Sequence, residues 1–280
     1  MKGYTYLWLT LTAVLFYENY ALNHLPTSSL SALLFPGVNL SPAAGRPISL
    51  YLGWTGLGLI LMTNLYIIRK RLSLLKKLGK MSGWLDFHIF CGLMGPTLII
   101  FHTNFKVGGL VAISFWSMMI VAVSGVIGRY FYLQVLKTRA EFEKEAEQSE
   151  TVLLAFQKQN ALRFSSQTIE TLKVSSLQFV GAGALLQRPV DEIGFLSTFF
   201  RSLVGDLRIQ ISSPSNLSAL SPHVRATLLR YGLARRHTIF YSHFQKYLGY
   251  WHSFHMPFAF FMYFIAIIHV ISALLFGVKG

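Results

Sequence analysis

Long apolar runs alternate with shorter polar stretches along this chain. Apolar residues dominate 4–22, 48–68, 84–105, 109–134 and 253–276, lengths suited to helices that cross a bilayer. The first run is the weakest. Its apolar core, Tyr4–Tyr17, is closed by Glu18 and Asn19 and has the length of a signal-peptide core. No small-x-small cleavage site follows it, so it reads as a short first span. Gly95-Pro96 falls in the middle of the third run and predicts a bend, and Pro257 falls in the expected first turn of the fifth.

The polar stretch between the fourth and fifth runs also carries helical signals. Residues 137–163 read as a charged helix continuing from the fourth span, with Glu141 and Lys144 spaced for an i,i+3 pair. Ile193, Phe195, Leu196, Phe199, Phe200 and Leu203 form a stripe at helical spacing over 190–210, and 212–216 reads as a loop. Ser221-Pro222 offers an N-cap and first position for a helix through about Arg230. The expected fold is an all-α integral membrane protein: four spans within 1–136, a helical insert over 137–250, and a fifth span within 251–280.

Composition sharpens this. The 280 residues are 53% hydrophobic and 13% charged, about half the charged share of a soluble domain. Lys and Arg number 25 against 11 acids, a formal charge of +14. In a soluble chain that balance would suggest nucleic acid, but here the bases flank apolar runs, so membrane lipid is the expected partner and nucleic acid is not. Residues 69–80 (RKRLSLLKKLGK) hold Arg69, Lys70, Arg71, Lys76, Lys77 and Lys80, whereas the opposite side holds Arg46, Lys106 and Lys279. The positive-inside rule then places the N-terminus and the 137–250 insert in the cytoplasm of a cell inner (plasma) membrane. The single cysteine, Cys91, excludes an internal disulfide and an iron–sulfur cluster held by this chain alone.

Four of the nine histidines, His88, His102, His255 and His269, fall inside expected spans. An ionisable residue there is costly and points to function. His88 and His102 are 14 residues apart, and so are His255 and His269. Fourteen helical steps return to within about 40° of the same face and cover about 21 Å. The third and fifth spans run the same way, so His88 would face His255 near one surface and His102 would face His269 near the other. Two hemes, each gripped by two imidazoles, would stack across the bilayer. Gly92 and Gly95 share the face of His88, and Ala259, Met262 and Ala266 that of His255. Small residues also serve helix–helix contact; beside the histidines they are read as room for a flat macrocycle. The propionates would need basic or polar anchors: Arg129 first, then Arg235, Arg236 and Lys246 on the inner side, with Asn104 and Lys106 on the outer. His252 is read as interfacial rather than as a ligand.

Paired histidines at this spacing on the third and fifth spans resemble the transmembrane domain of ferric reductase/NADPH oxidase-type cytochromes b. The resemblance covers His88, His102, His255 and His269 and implies two non-covalent, bis-histidine b-type hemes (heme b). Two features depart from it: the long insert, and the lack of a His-Pro-Phe-Thr-like flavin motif or GxGxxG. The expected function is therefore that of a membrane cytochrome b subunit carrying electrons within a larger oxidoreductase complex. A flavin or iron–sulfur protein would act as cytoplasmic or membrane partner, and an outer-side cytochrome as a further one. A quinol- or quinone-reactive cytochrome b subunit and a non-redox membrane scaffold are the alternative readings.

Overall fold

A computed structural model describes residues 2–25, 29–34, 47–160, 162, 164–183, 194–211, 214, 217 and 220–276. Arg46, Ile193, Lys279 and most of the 212–216 loop lie outside the described residues. Among the described residues the structure is helical, without strands: α1 (Lys2–His24), α2 (Leu30–Leu34), α3 (Pro47–Met62), α4 (Asn64–Arg71), α5 (Met81–His102), α6 (Gly109–Gln134), α7 (Arg139–Gln159), α8 (Ser166–Phe179), α9 (Phe195–Ile211) and α10 (Pro222–Phe276). Four of the described stretches are long and apolar enough to cross a membrane: Pro47–Arg71, Met81–His102, Ala112–Gln134 and Pro222–Phe276. The apolar part of the last is 253–276. α1 is not among them, since threonines, Glu18 and Asn19 dilute its apolar character.

The chain divides into two compact units, Met1–Ile127 with Ser253–Gly280, and Gly128–His252. In the first, α1 lies along α5. Tyr4 meets Phe90 with ring centroids 5.4 Å apart, Phe16 meets Phe101 at 5.0 Å, Trp8 donates to Thr97 Oγ1 at 3.1 Å, and Asn19 donates to Asn104 Oδ1 at 3.3 Å. Both sets of numbers climb together, so the two helices run parallel. Glu18 acts locally. Its carboxylate accepts from the backbone N–H groups of Leu30 and Ser31, at 2.8 and 2.9 Å, at the start of α2.

α3 packs antiparallel on α5 with backbones in contact. A Cβ on Gly56 would fall 3.0 Å from the Gly95 carbonyl, and a Cβ on Gly95 would fall 2.7 Å from Ile60 Cγ1. Gly95 thus belongs to helix–helix packing rather than to the open face expected for it. Ile60, Met118 and Met262 close the core between α3, α6 and α10, with Ile99 and Tyr263 against them. Met262 is likewise committed to protein packing. α5 passes through Pro96 as one helix. It ends at His102 rather than Phe105, because Thr103 Oγ1 turns back to the Ile100 carbonyl at 2.9 Å and Asn104 and Phe105 adopt φ of 47° and 60°.

The expected second span is broken at Thr63, between α3 and α4. Thr63 Oγ1 donates to the Ile60 carbonyl at 2.6 Å and Asn64 Nδ2 to the Leu61 carbonyl at 3.1 Å. These side chains compete with the helical ladder and open it. After α4, Arg69 turns inward, its guanidinium donating to the carbonyl oxygens of Leu78 and Gly79, while Lys70, Arg71, Lys77 and Lys80 are exposed.

In the second unit α6 stops at Gln134, and α7 is a new helix rather than a continuation. Thr138 starts it with a capping box: its Oγ1 accepts from Glu141 N at 3.2 Å, and the Glu141 carboxylate accepts from Thr138 N at 2.6 Å. Glu141 therefore serves the cap instead of the expected pair with Lys144, and the Thr138 N–H holds its carboxyl below the usual carboxylate range. Ala146 and Leu153 of α7 pack with Leu228 and Tyr231 of α10, and Phe131 packs with Phe240, Phe244 and Tyr247. Pro222 does open α10, but the helix runs far beyond Arg230, so Pro257 sits in its interior rather than in a first turn.

Arg236 is fully buried. It donates to Asp206 Oδ1 at 2.6 Å and to the Val180 carbonyl at 2.9 Å, while Tyr130 and Gln134 donate to Asp206 Oδ2. Gly205 allows this, because a Cβ there would fall 2.1 Å from the Val180 oxygen. Arg236 is thus spent inside its unit, which corrects its expected role as a propionate anchor. Removing Asp206 strands a buried guanidinium. Asp206→Ala is expected to destabilise the fold by about 3–5 kcal/mol, read as a lower thermal midpoint of the detergent-solubilised chain.

Candidate functional site

The four histidines within the apolar helices are half-buried, and two of them face a carbonyl oxygen that defines the tautomer. His88, in the second turn of α5, has its Nδ1 2.8 Å from the Thr63 carbonyl oxygen. A carbonyl can only accept, so Nδ1 carries the hydrogen and Nε2 the lone pair. Thr63 lies at the break between α3 and α4, and its carbonyl also receives a 3.3 Å bond from Tyr66 N. The Tyr66 ring stands against His88, with centroids 5.6 Å apart.

His102 is the last residue of α5, where helix carbonyls lack a partner in their own helix. Ser49 of α3 answers both ends of it. Ser49 Oγ donates to the His102 carbonyl at 2.7 Å, and the Ser49 carbonyl accepts from His102 Nδ1 at 2.7 Å. The lone pair again falls on Nε2. The ring lies flat against Gly53, where a Cβ would come within 2.8 Å of His102 Nδ1. The two acceptors, Ser49 and Thr63, are themselves 14 residues apart, so the antiparallel helix repeats the histidine interval in its own carbonyls.

His255 is held by α6. Ser124 Oγ stands 2.6 Å from His255 Nδ1 and 2.9 Å from the Val121 carbonyl oxygen. The His255 ring passes Gly125, with Cε1 3.9 Å from where a Cβ would stand. His269 is half-buried on α10, about four turns beyond His255.

The remaining sites distribute as follows. Gly92, one turn after His88, faces open space, its nearest neighbour being Thr63 Cγ2 at 4.0 Å. Ala259 is half-buried one turn after His255. Arg129 stacks its guanidinium over Tyr132 at 5.7 Å and belongs to the second unit. Asn104 is engaged with Asn19, Lys106, Arg235 and Lys246 are exposed, and His252 is exposed too.

Ser49, Gly53, Thr63 and Ser124 escaped the sequence reading. Each left a signal, because a hydroxyl or a glycine inside an apolar span marks a helix contact. Among the described residues no group of three or more His, Cys, Asp or Glu side chains comes together as a metal cage. The donor set is single imidazoles, and His88 and His102 have Nδ1 occupied and Nε2 able to donate its lone pair. That chemistry suits a metal whose other positions are filled by a macrocycle. No family model, curated protein or solved structure matches this chain.

Proposed function

We propose that this chain is a membrane cytochrome b subunit that carries electrons across the bilayer through two bis-histidine b-type hemes. His88 with His255 and His102 with His269 are the ligand pairs. The observation that supports the reading most is the shared pose of His88 and His102, each donating through Nδ1 to a carbonyl on the neighbouring α3–α4 segment, with His255 Nδ1 likewise bonded to Ser124 of α6. Such a bond fixes ring orientation and tautomer and raises the basicity of the other nitrogen, as histidine ligands require. When bound, the hemes supply one-electron chemistry. The chain's own residues orient the imidazoles and keep water away from them.

In this reading α1, lying parallel along α5, is a fifth membrane helix beside the four candidate spans. Gly92 and Ala259 leave room for the macrocycle faces. The exposed Lys70, Arg71, Lys77 and Lys80 mark the cytoplasmic surface of the plasma membrane, and the 137–250 insert docks a flavin- or iron–sulfur-bearing donor. The direct test is a reduced-minus-oxidised spectrum of the purified chain with a pyridine hemochrome assay. Two low-spin hemes per chain are expected, and a preparation that is folded but colourless after heme supplementation would overturn the reading.

A further inference from the structure

The α3–α4 break carries a polar cluster that the ligand assignment does not use. Tyr263 of α10 donates its hydroxyl to the Ile60 carbonyl at 2.9 Å and accepts from Asn64 Nδ2 at 2.8 Å, and its oxygen stands 3.2 Å from Thr63 Oγ1. Ile60, Thr63 and Asn64 are the residues through which the helix opens. The Thr63 carbonyl between them receives His88 Nδ1. One phenol from a distant part of the sequence thus bonds the residues on both sides of the acceptor that orients His88.

A tyrosine hydroxyl in an apolar layer is costly unless both its donor and acceptor capacities are met. Here both are met by groups at the break. A phenylalanine would fill nearly the same space and meet the same apolar neighbours, Ile60 and Met262 among them. The hydroxyl is therefore a tie rather than packing material.

We propose that Tyr263 is a positioning residue for His88, holding the Thr63 carbonyl at the distance that sets the strength of the His88 Nδ1 hydrogen bond, and through it the reduction potential of one heme. This rests on the reading above that His88 is a heme ligand. A strong Nδ1–H···O=C bond makes the imidazole a better donor, which favours ferric over ferrous iron. Loosening the tie weakens that bond and raises the potential of this heme alone. His102 takes its Nδ1 partner from Ser49, at the other end of α3, so the second heme is insulated from the change.

The test is a redox titration of wild-type, Tyr263→Phe and Asn64→Leu chains, with heme content and the thermal midpoint measured alongside. His88→Ala identifies which titration step belongs to the His88 heme, because only the other step survives in it. In Tyr263→Phe that step should become easier to reduce by about tenfold in its equilibrium, 59 mV for one electron. Two hemes should remain, and the other step should stay in place. Asn64→Leu keeps the phenol and removes its donor together with the Asn64 bond to the Leu61 carbonyl, so it should shift the same step in the same direction. It also carries the test should Tyr263→Phe fail to accumulate. Both steps unmoved, or both moved equally, would overturn the positioning role while leaving the cytochrome reading intact. A wild-type chain with no heme at all would overturn the cytochrome reading itself.

Discussion

His102→Ala is expected to halve the heme content of the chain while leaving its fold in place. In the proposed cytochrome reading the side chain supplies a ligand nitrogen, while its Nδ1 donates to the Ser49 carbonyl. The second link between the same residues, from Ser49 Oγ to the His102 carbonyl, uses the backbone and survives the substitution. The end of α5 therefore keeps its contact with α3. The lost side chain leaves a space over Gly53, whose missing Cβ already made room for a ring there. Added imidazole should enter that space and restore the second heme, with its low-spin spectrum, in a concentration-dependent way. The retained heme should be the one assigned to His88, so a double variant with His88→Ala should hold none. Two hemes in purified His102→Ala without added imidazole would remove His102 from the ligand set.

The histidine interval and the apolar runs were readable because both are properties of one helix at a time. A period of 14 residues needs no knowledge of neighbours, and α6 begins at Gly109 and ends at Gln134, as hydropathy alone placed it. What could not be read depends on pairs of elements. The break at Thr63 comes from two short polar side chains bonding back to their own helix, inside an otherwise apolar run. The capping box of Thr138 and Glu141 separates α7 from α6, although the charge pattern across 137–163 looked continuous. The sequence offers Arg236 as a propionate anchor because its partner Asp206 lies thirty positions earlier, on another helix. The Nδ1 partners of the histidines come from α3 and α6, and no periodicity within α5 or α10 encodes them.

Gly92 and Gly95 sit one turn apart on α5, and nothing in their spacing distinguishes one from the other. The structure separates them, and leucine at each position should fail for a different reason. At Gly95 the Cβ alone would press on Ile60 Cγ1 at 2.7 Å and on the Gly56 carbonyl at 3.0 Å. Backbone cannot give way there without parting α3 from α5, and that pair carries the acceptors of both His88 and His102. Gly95→Leu should therefore lower the thermal midpoint and remove both hemes together. At Gly92 the added Cβ would meet only Thr63 Cγ2, at 4.0 Å, an ordinary contact. The heme-free protein should accept Gly92→Leu with little change in stability. The isobutyl group would instead occupy the space beside His88 that the proposed reading assigns to a macrocycle face, so one heme should be lost and the His102 heme kept. Thermal melts of heme-depleted protein beside hemochrome assays of the loaded protein distinguish the two. Full heme loading of Gly92→Leu would mean that the porphyrin approaches His88 from another side.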